Sequence, residues 1–208
     1  MVFLSLEGTA GAGKSTIRNK TLTAAVTAGV DVGHIGQFSW LSPPATRTLV
    51  HVRAGTPTGT AAQSIRAARE DLDLHARFNL APALARGPLI ADRLILSTAC
   101  LLALAHCQPV EPMIETLAAA APALPTLTVL LTTPPHLCTQ RLALRPSRPR
   151  FGEDPASAHQ LAALYRQASR EWTTLTGLPV IHRPSVVEAD VEAIARECLN
   201  HLTAKGTP

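Results

Sequence analysis

The segment from residue 2 to residue 16 constrains this chain most, because a short apolar run there leads directly into a glycine-rich loop. The loop, residues 8–15, reads GTAGAGKS and matches the pattern G-x-x-x-x-G-K-[ST]. A predicted strand precedes it and a predicted helix follows it, which is the context in which this pattern binds phosphate. A strand-to-helix turn that binds nothing is the alternative, and the lysine and serine that end the loop disfavour it. The sequence therefore predicts a phosphate-binding loop.

Each residue type in this loop has an expected role in holding ATP. Glycines let successive backbone N–H groups turn inward around phosphate oxygens, and the helix N-terminus adds positive potential. The Lys14 ammonium is expected to span the β- and γ-phosphates, and the Ser15 hydroxyl is expected to ligate Mg²⁺. The residues expected to bind the nucleotide are Gly8, Ala10, Gly11, Ala12, Gly13, Lys14, Ser15 and Thr16. ATP and Mg²⁺ are thus the predicted cofactors, while the loop leaves open whether water or a second substrate accepts the phosphoryl group.

Short apolar runs alternate with helix-compatible segments along the chain. This alternation predicts a parallel sheet covered by helices on both faces. The strands are predicted at 2–6, 32–35, 88–91, 127–131 and 179–181. The helices are predicted at 17–28, 45–53, 60–86, 94–106, 111–120, 136–144, 155–176 and 188–203. With 208 residues, the chain is expected to form one domain over residues 1–208.

Composition restricts the class of ligand and the cellular compartment that we expect. The net charge is +4, but aromatic residues make up only 3%, so a small anionic ligand is favoured over nucleic acid. The four cysteines have no paired spacing, which argues against a zinc site or a disulfide framework and favours the reducing cytoplasm. No targeting segment is recognised, and no apolar stretch reaches the ~18 residues of a membrane span, so no membrane association is expected.

Asp92 and Arg93 directly follow the third predicted strand. Both side chains should therefore emerge at the carboxyl edge of the sheet, near the loop. Asp92 is expected to hold Mg²⁺ or to accept a proton from the acceptor, and Arg93 to stabilise the transferring phosphoryl group. A surface ion pair is the alternative for such a dipeptide on its own. The loop upstream favours the catalytic interpretation.

Arginines cluster after the fourth predicted strand, on a helix end and on the proline-broken segment 145–155, which is a candidate mobile lid. They are expected to neutralise phosphate charge, and the alternative is a solvated basic helix end favoured by the helix dipole. The residues expected to act in phosphoryl transfer are Lys14, Asp92, Arg93, Arg141, Arg148 and Arg150.

Three segments resemble thymidylate kinases. Residues 3–16, FLSLEGTAGAGKST, resemble the opening of that family, E-G-x-D-G-A-G-K-S-T. Residues 82–87, PALARG, followed by 92–93 and Ser97, resemble its P-A-L-x-x-G and D-R-Y-x-x-S segments. Residues 128–150 resemble its fourth strand, the next helix with an R-x-x-x-R pair, and its lid. The resemblance implies an α/β P-loop kinase fold, a three-layer sandwich whose five-stranded parallel sheet is flanked by helices and carries an arginine-rich lid.

The resemblance also implies ATP with Mg²⁺, phosphoryl transfer to a nucleoside monophosphate, and a homodimer. Carried over by position, Ser15 and Asp92 would ligate magnesium, while Arg93 and Arg141 would contact phosphates. The loop that begins at Arg183 would lie near adenine.

The acceptor side departs from the family pattern. Residues 36–40, GQFSW, replace the R-E-P-G-G segment that contacts the acceptor phosphate, so the usual arginine is missing. Leu72 stands where the base-reading arginine should be, and Ala68 stands near the stacking phenylalanine. An acidic strip at 70–73 suits an acceptor that carries amines, guanidines or many hydroxyls as well as an altered nucleobase. Trp40 is either core packing, which is the commoner fate, or a stacking face. The residues expected to contact the acceptor are Gln37, Trp40, Arg69, Asp71, Asp73, Arg93 and Ser97.

The favoured interpretation is an ATP-dependent kinase whose acceptor is a nucleotide, a nucleoside or a specialised metabolite. A thymidylate kinase with divergent contacts is one rival. A P-loop NTPase or a nucleotide-sensing switch without an acceptor is a rival of another class. A non-catalytic nucleotide-binding subunit is disfavoured, because the loop lysine and serine and the strand-end aspartate are all present.

Overall fold

Strands and helices alternate along the chain in the computed structural model, which describes residues 2–146 and 150–204. Within those residues the strands are β1 (Phe3–Gly8), β2 (Gly33–Ile35), β3 (Leu89–Asp92), β4 (Leu127–Leu131) and β5 (Val180–Arg183). The helices there are α1 (Lys14–Thr27), α2 (Pro43–Arg53), α3 (Ala61–His75), α4 (Ala81–Arg86), α5 (Ile95–His106), α6 (Glu111–Ala120), α7 (Pro135–Ala143), α8 (Pro155–Thr176) and α9 (Glu188–Thr203).

The strands of the described residues form one five-stranded parallel sheet in the order β2-β3-β1-β4-β5. Its helices lie on both faces, so the predicted α/β class with a helix-flanked parallel sheet is confirmed. The central strand β1 pairs with β3 on one side and with β4 on the other, and Leu6 lies opposite both Asp92 and Val129. Because the connections after β1 and β4 run toward opposite edges of the sheet, a crevice opens at their carboxyl ends, where such sheets bind ligands.

The two faces of the sheet bury separate apolar cores. All six residues of β1 are buried, and they alternate between the faces. Phe3 belongs to a core that includes residues from α2, α3, α5, α6 and α8, whereas Leu4 and Leu6 belong to a core that includes residues from α1, α7 and α9. The uninterrupted burial of β1 is typical of a central parallel strand. It fixes the start of the glycine-rich loop in the middle of the molecule.

The predicted helix over 60–86 is wrong in one respect. A π-helical turn, Ala76–Leu80, separates α3 from α4. Pro82 lies in the first turn of α4. Proline has no N–H to donate to the carbonyl four residues earlier and crowds that carbonyl, so regular α-helix cannot run through this position.

No helix within residues 2–146 and 150–204 has both the length and the apolar character required to cross a bilayer.

Candidate active site

The glycine-rich loop lies between the end of β1 and the start of α1, and the geometry requires glycine at positions 11 and 13. Gly11 and Gly13 have φ angles of 77° and 102°, which favour glycine. A Cβ atom on Gly11 would lie 2.5 Å from the carbonyl oxygen of Cys138. A Cβ atom on Gly13 would lie 2.9 Å from the Ser185 hydroxyl oxygen. The loop is therefore held tightly between α7 and the segment that follows β5.

The Lys14 side chain folds back over this loop. Its Nζ donates hydrogen bonds to the carbonyl oxygens of Gly8, at 2.9 Å, and Thr9, at 2.6 Å. The residue is only 6% exposed. Burial lowers the pKa of the Lys14 ammonium well below its ordinary value, and repulsion from Arg93 lowers it further. An anion that approached this group would raise its pKa, because nearby negative charge favours the protonated form.

The two residues predicted to ligate magnesium lie next to each other. The Ser15 hydroxyl donates to Asp92 Oδ2 at 3.3 Å. The same carboxylate oxygen is 2.7 Å from the guanidinium of Arg18. Sequence reasoning did not single out Arg18, although its position one turn after Ser15 on α1 places it on the same side of the helix. A hydroxyl, a carboxylate and a guanidinium thus meet at the edge of the loop.

Arg93 reaches back beneath the loop. Its backbone has a φ angle of 72°, and its guanidinium donates to the carbonyl of Gly8 at 2.8 Å and to the hydroxyl of Tyr165 at 2.8 Å. Burial alone would lower the pKa of Arg93, but the combined influence of Tyr165, Glu7 and Asp92 raises it. The guanidinium therefore stays charged inside the protein.

Glu7 is a buried carboxylate in the central strand β1. It accepts hydrogen bonds from the N–H groups of Leu94, at 2.9 Å, and Ser97, at 3.0 Å, and from the Ser97 hydroxyl. Burial raises the pKa of Glu7, and these hydrogen bonds oppose that shift. The Ser97 hydroxyl also lies 2.7 Å from that of Tyr165. Sequence reasoning missed Glu7 and Tyr165, although a carboxylate within a strand was a visible signal.

Lys14, Ser15, Asp92 and Arg93 border a cavity of about 630 Å³. From the loop and the start of α1, its lining includes Ala10, Gly11, Gly13, Lys14, Ser15 and Thr16. Among the other predicted site residues, its lining includes Gln37, Trp40, Asp92, Arg93, Arg141 and Arg150. Ser97 lines a smaller adjoining cavity of about 120 Å³, and Ala12 is buried in the core beneath the loop. The structure thus brings most of the predicted residues together.

Comparison with known proteins adds no assignment. No protein-family model matches this chain, and no curated protein matches it. The chemistry of the cavity therefore has to be inferred from its own side chains.

The predicted lid contributes basic groups at one side of the cavity. Arg141, near the end of α7, donates to the carbonyls of Gly11 at 3.4 Å and Val186 at 3.0 Å. Glu153 accepts from the backbone N–H of Arg150 at 2.9 Å and lies 3.8 Å from the guanidinium of Arg145. The predicted catalytic residue Arg148 lies outside the described residues.

Arg183 does not line the cavity, contrary to the expectation that it binds nucleotide. The Glu197 carboxylate holds its guanidinium with two hydrogen bonds of 2.8 and 2.7 Å. Ser185, two residues further along, does line the cavity. Its buried hydroxyl oxygen has no hydrogen-bond partner among the described residues.

The acidic strip on α3 does not line the cavity either. Asp71 is buried and accepts hydrogen bonds from the N–H of Trp40 and from the N–H and hydroxyl of Ser39, at 2.7 to 2.9 Å. Arg69 and Asp73 line a separate depression on the outer side of α3. Successive residues of a helix are about 100° apart, so Asp71 points inward while its neighbours at two-residue spacing point away. The expectation that this strip contacts the acceptor is not supported by the geometry.

Proposed function

We propose that this protein is an ATP-dependent kinase of the P-loop type, which transfers the γ-phosphoryl group of ATP to a small-molecule acceptor. One observation carries the proposal. The buried Lys14 ammonium and the glycine-rich loop face a cavity of about 630 Å³ whose described lining holds six basic residues and three acidic ones. Such an excess of positive charge favours a polyphosphate ligand. The resemblance of the loop and of 92–93 to thymidylate kinases agrees with this assignment.

The loop residues fit a triphosphate with its metal. Backbone N–H groups at positive-φ glycines can surround phosphate oxygens, and Lys14 can exchange its carbonyl partners for the β- and γ-phosphates. The Ser15 hydroxyl and the Asp92 carboxylate are hard oxygen donors of the kind that Mg²⁺ binds. When bound, Mg²⁺ neutralises charge on the phosphates.

Positioning and electrostatics supply the catalysis in this proposal. Phosphoryl transfer asks little covalent chemistry of the protein, and charge develops on the oxygens of the transferring group. Arg93 is held by Gly8 and Tyr165 and so needs little reorganisation to stabilise that charge. Arg141 is fixed against the loop in the same manner. The acceptor occupies the side of the cavity lined by Gln37 and Trp40.

Measuring ADP release from MgATP, with and without a panel of nucleotides, nucleosides and polar metabolites, tests the proposal. We expect release to depend on an acceptor and to be lost in Lys14→Met. Lys20→Met is the matched control, because Lys20 lies on the same helix and pairs with Glu188 and Glu192. Acceptor-independent release would identify an NTPase, and dTMP as clearly the best acceptor would identify a thymidylate kinase. No detectable heat on titration of MgATP would overturn nucleotide binding itself.

A further inference from the structure

Arg53, at the end of α2, borders both cavities and was not identified from the sequence. Its guanidinium carbon lies 5.5 Å from the ring centroid of Trp40 and 6.0 Å from that of Phe38. The two rings are tilted against each other, with centroids 4.9 Å apart. Both distances are within the range of a cation–π contact. The aromatic pair therefore supports the guanidinium at the cavity wall while leaving its N–H groups without protein partners among the described residues.

The charges around Arg53 repel it. Partial burial lowers the pKa of Arg53, and the positive charges of Arg150 and Arg93 lower it further. The repulsion among these positive charges decreases when an anion binds between them.

The carboxylates that line the larger cavity already have partners among the described residues. Asp92 pairs with Arg18, and Glu188 pairs with Lys20. Glu153 accepts from the backbone of the lid and pairs with Arg145. None of them is within ion-pair distance of Arg53 in the described part of the chain. These carboxylates therefore supply no countercharge to the guanidinium, and an anionic ligand in the cavity would supply one.

The aromatic wall behind Arg53 is held in place. Trp40 has a φ angle of 58°, a conformation that costs a non-glycine residue free energy and persists only when its surroundings impose it. The Asp71 carboxylate imposes it through hydrogen bonds of 2.9 Å to the N–H groups of Ser39 and Trp40. The wall is thus formed before any ligand arrives.

On the basis of the proposed kinase function, we propose that Arg53, backed by Phe38 and Trp40, binds an oxyanion of the phosphoryl acceptor. This oxyanion is either a carboxylate or a phosphate. A guanidinium presents a planar fork of N–H donors that matches both groups. The acceptor is therefore an acid, whereas the acidic strip on α3 had suggested a cationic or polyhydroxylated compound.

Direct binding of small anions tests this subsite. Protein saturated with Mg²⁺ and a non-hydrolysable ATP analogue, which fills the loop, is titrated separately with inorganic phosphate and with acetate. We expect Arg53→Gln to weaken binding of the preferred anion by about tenfold or more, the usual loss for a hydrogen bond to a charged group. Arg53→Lys should lose less, because it keeps the charge. Arg47→Gln is the matched control, since Arg47 is exposed on the same helix and lines neither cavity.

Turnover supplies a second readout, with acceptors compared in matched pairs: a nucleoside with its 5′-monophosphate, and a sugar alcohol with its carboxylic acid. The charged member of a pair should be phosphorylated preferentially, and Arg53→Gln should raise its KM about tenfold without changing the KM of MgATP. Unchanged anion binding in Arg53→Gln, or preference for the uncharged members, would overturn the subsite. If the analogue does not bind, the kinase proposal fails, and titrating anions into the nucleotide-free protein still decides the role of Arg53.

Discussion

Lys14 carries the electrostatics of the loop at the scale of single residues. Its ammonium is buried and donates hydrogen bonds to two carbonyl oxygens, and Arg93 lies close enough to repel it. The free protein therefore holds this group with a lowered pKa. A bound triphosphate would raise this pKa again, because its negative charge favours the protonated amine.

We predict that MgATP binding takes up protons in a pH range set by Lys14. The pKa of Lys14 is lowered in the free protein and rises on binding, so uptake occurs between these two pKa values, and affinity falls as pH rises through the lower one. Calorimetry in two buffers of different ionisation enthalpy measures the uptake. Lys14→Met should abolish it, and binding without proton uptake at any pH would contradict the assignment.

Gly11 and Gly29 distinguish two reasons why a position requires glycine: a positive φ angle, and a lack of room for a Cβ atom. Both have positive φ angles, 77° and 68°, but only a Cβ on Gly11 would meet another atom within 4 Å. Gly29→Ala should lose about 1 kcal/mol of unfolding free energy from backbone strain alone and bind MgATP normally. Gly11→Ala should lose more stability and at least tenfold in MgATP affinity, because its Cβ would push the loop off α7. Urea denaturation and calorimetry measure the two effects, and equal affinities would count against the loop geometry.

At the scale of secondary-structure elements, hydrogen bonds between buried polar groups tie β1, the start of α5 and the middle of α8 together. Tyr165 is the member contributed by α8, and its hydroxyl contacts both Arg93 and Ser97. The helix that follows the predicted lid is thereby connected to the loop.

Tyr165→Phe should lower kcat with little change in MgATP affinity, because it removes a partner that orients Arg93. The loss of the hydroxyl should also cost about 1–2 kcal/mol of stability. Ser169→Ala on the same helix is the control, since its buried hydroxyl contacts only the carbonyl of Arg166 in the described structure. Steady-state kinetics give the kcat of both variants. A similar kcat for the two would show that Tyr165 has only a structural role.

The α3 helix holds the segment at Ser39 and Trp40 in place through Asp71. Asp71→Asn places an amide N–H₂ against N–H donors, so we expect a loss of about 1–3 kcal/mol of stability and a raised acceptor KM with an unchanged KM for MgATP. Asp73→Asn should change neither the stability nor the acceptor KM by a measurable amount, because Asp73 is exposed and pairs with Arg77 at 3.7 Å. An altered acceptor KM in Asp73→Asn would restore the acidic strip as a substrate contact.

At the scale of the whole molecule, local patterns account for the sheet and the loop, while tertiary packing determines the rest. The strands were predictable because each apolar run is bounded by turn residues, and the loop because its spacing is tied to a strand and a helix. Arg53 was not predictable, since its partners Phe38 and Trp40 lie on a loop after β2 and its role depends on the angle of α2. The inward direction of Asp71 likewise depends on which face of α3 the core covers.

Ligand binding at this central loop should stabilise the entire fold. MgATP at a hundred times its Kd should raise the unfolding free energy by about 2.7 kcal/mol in the wild type and in Lys20→Met. Lys14→Met should show a much smaller change. Thermal or urea denaturation with and without MgATP measures the difference, and equal stabilisation of both variants would place the nucleotide elsewhere.

The central position of β1 also determines when the nascent chain can complete its sheet. Ser5 and Thr128 face each other on neighbouring strands although 123 residues separate them. During synthesis, β1 therefore has both edges unpaired until β3 has been made, and one edge unpaired until β4 has been made. Such distant pairing slows folding and exposes an apolar strand to aggregation. A chain that stops before β4 would leave one edge of β1 uncovered, so translation must continue past residue 131 before the sheet can be completed on that side.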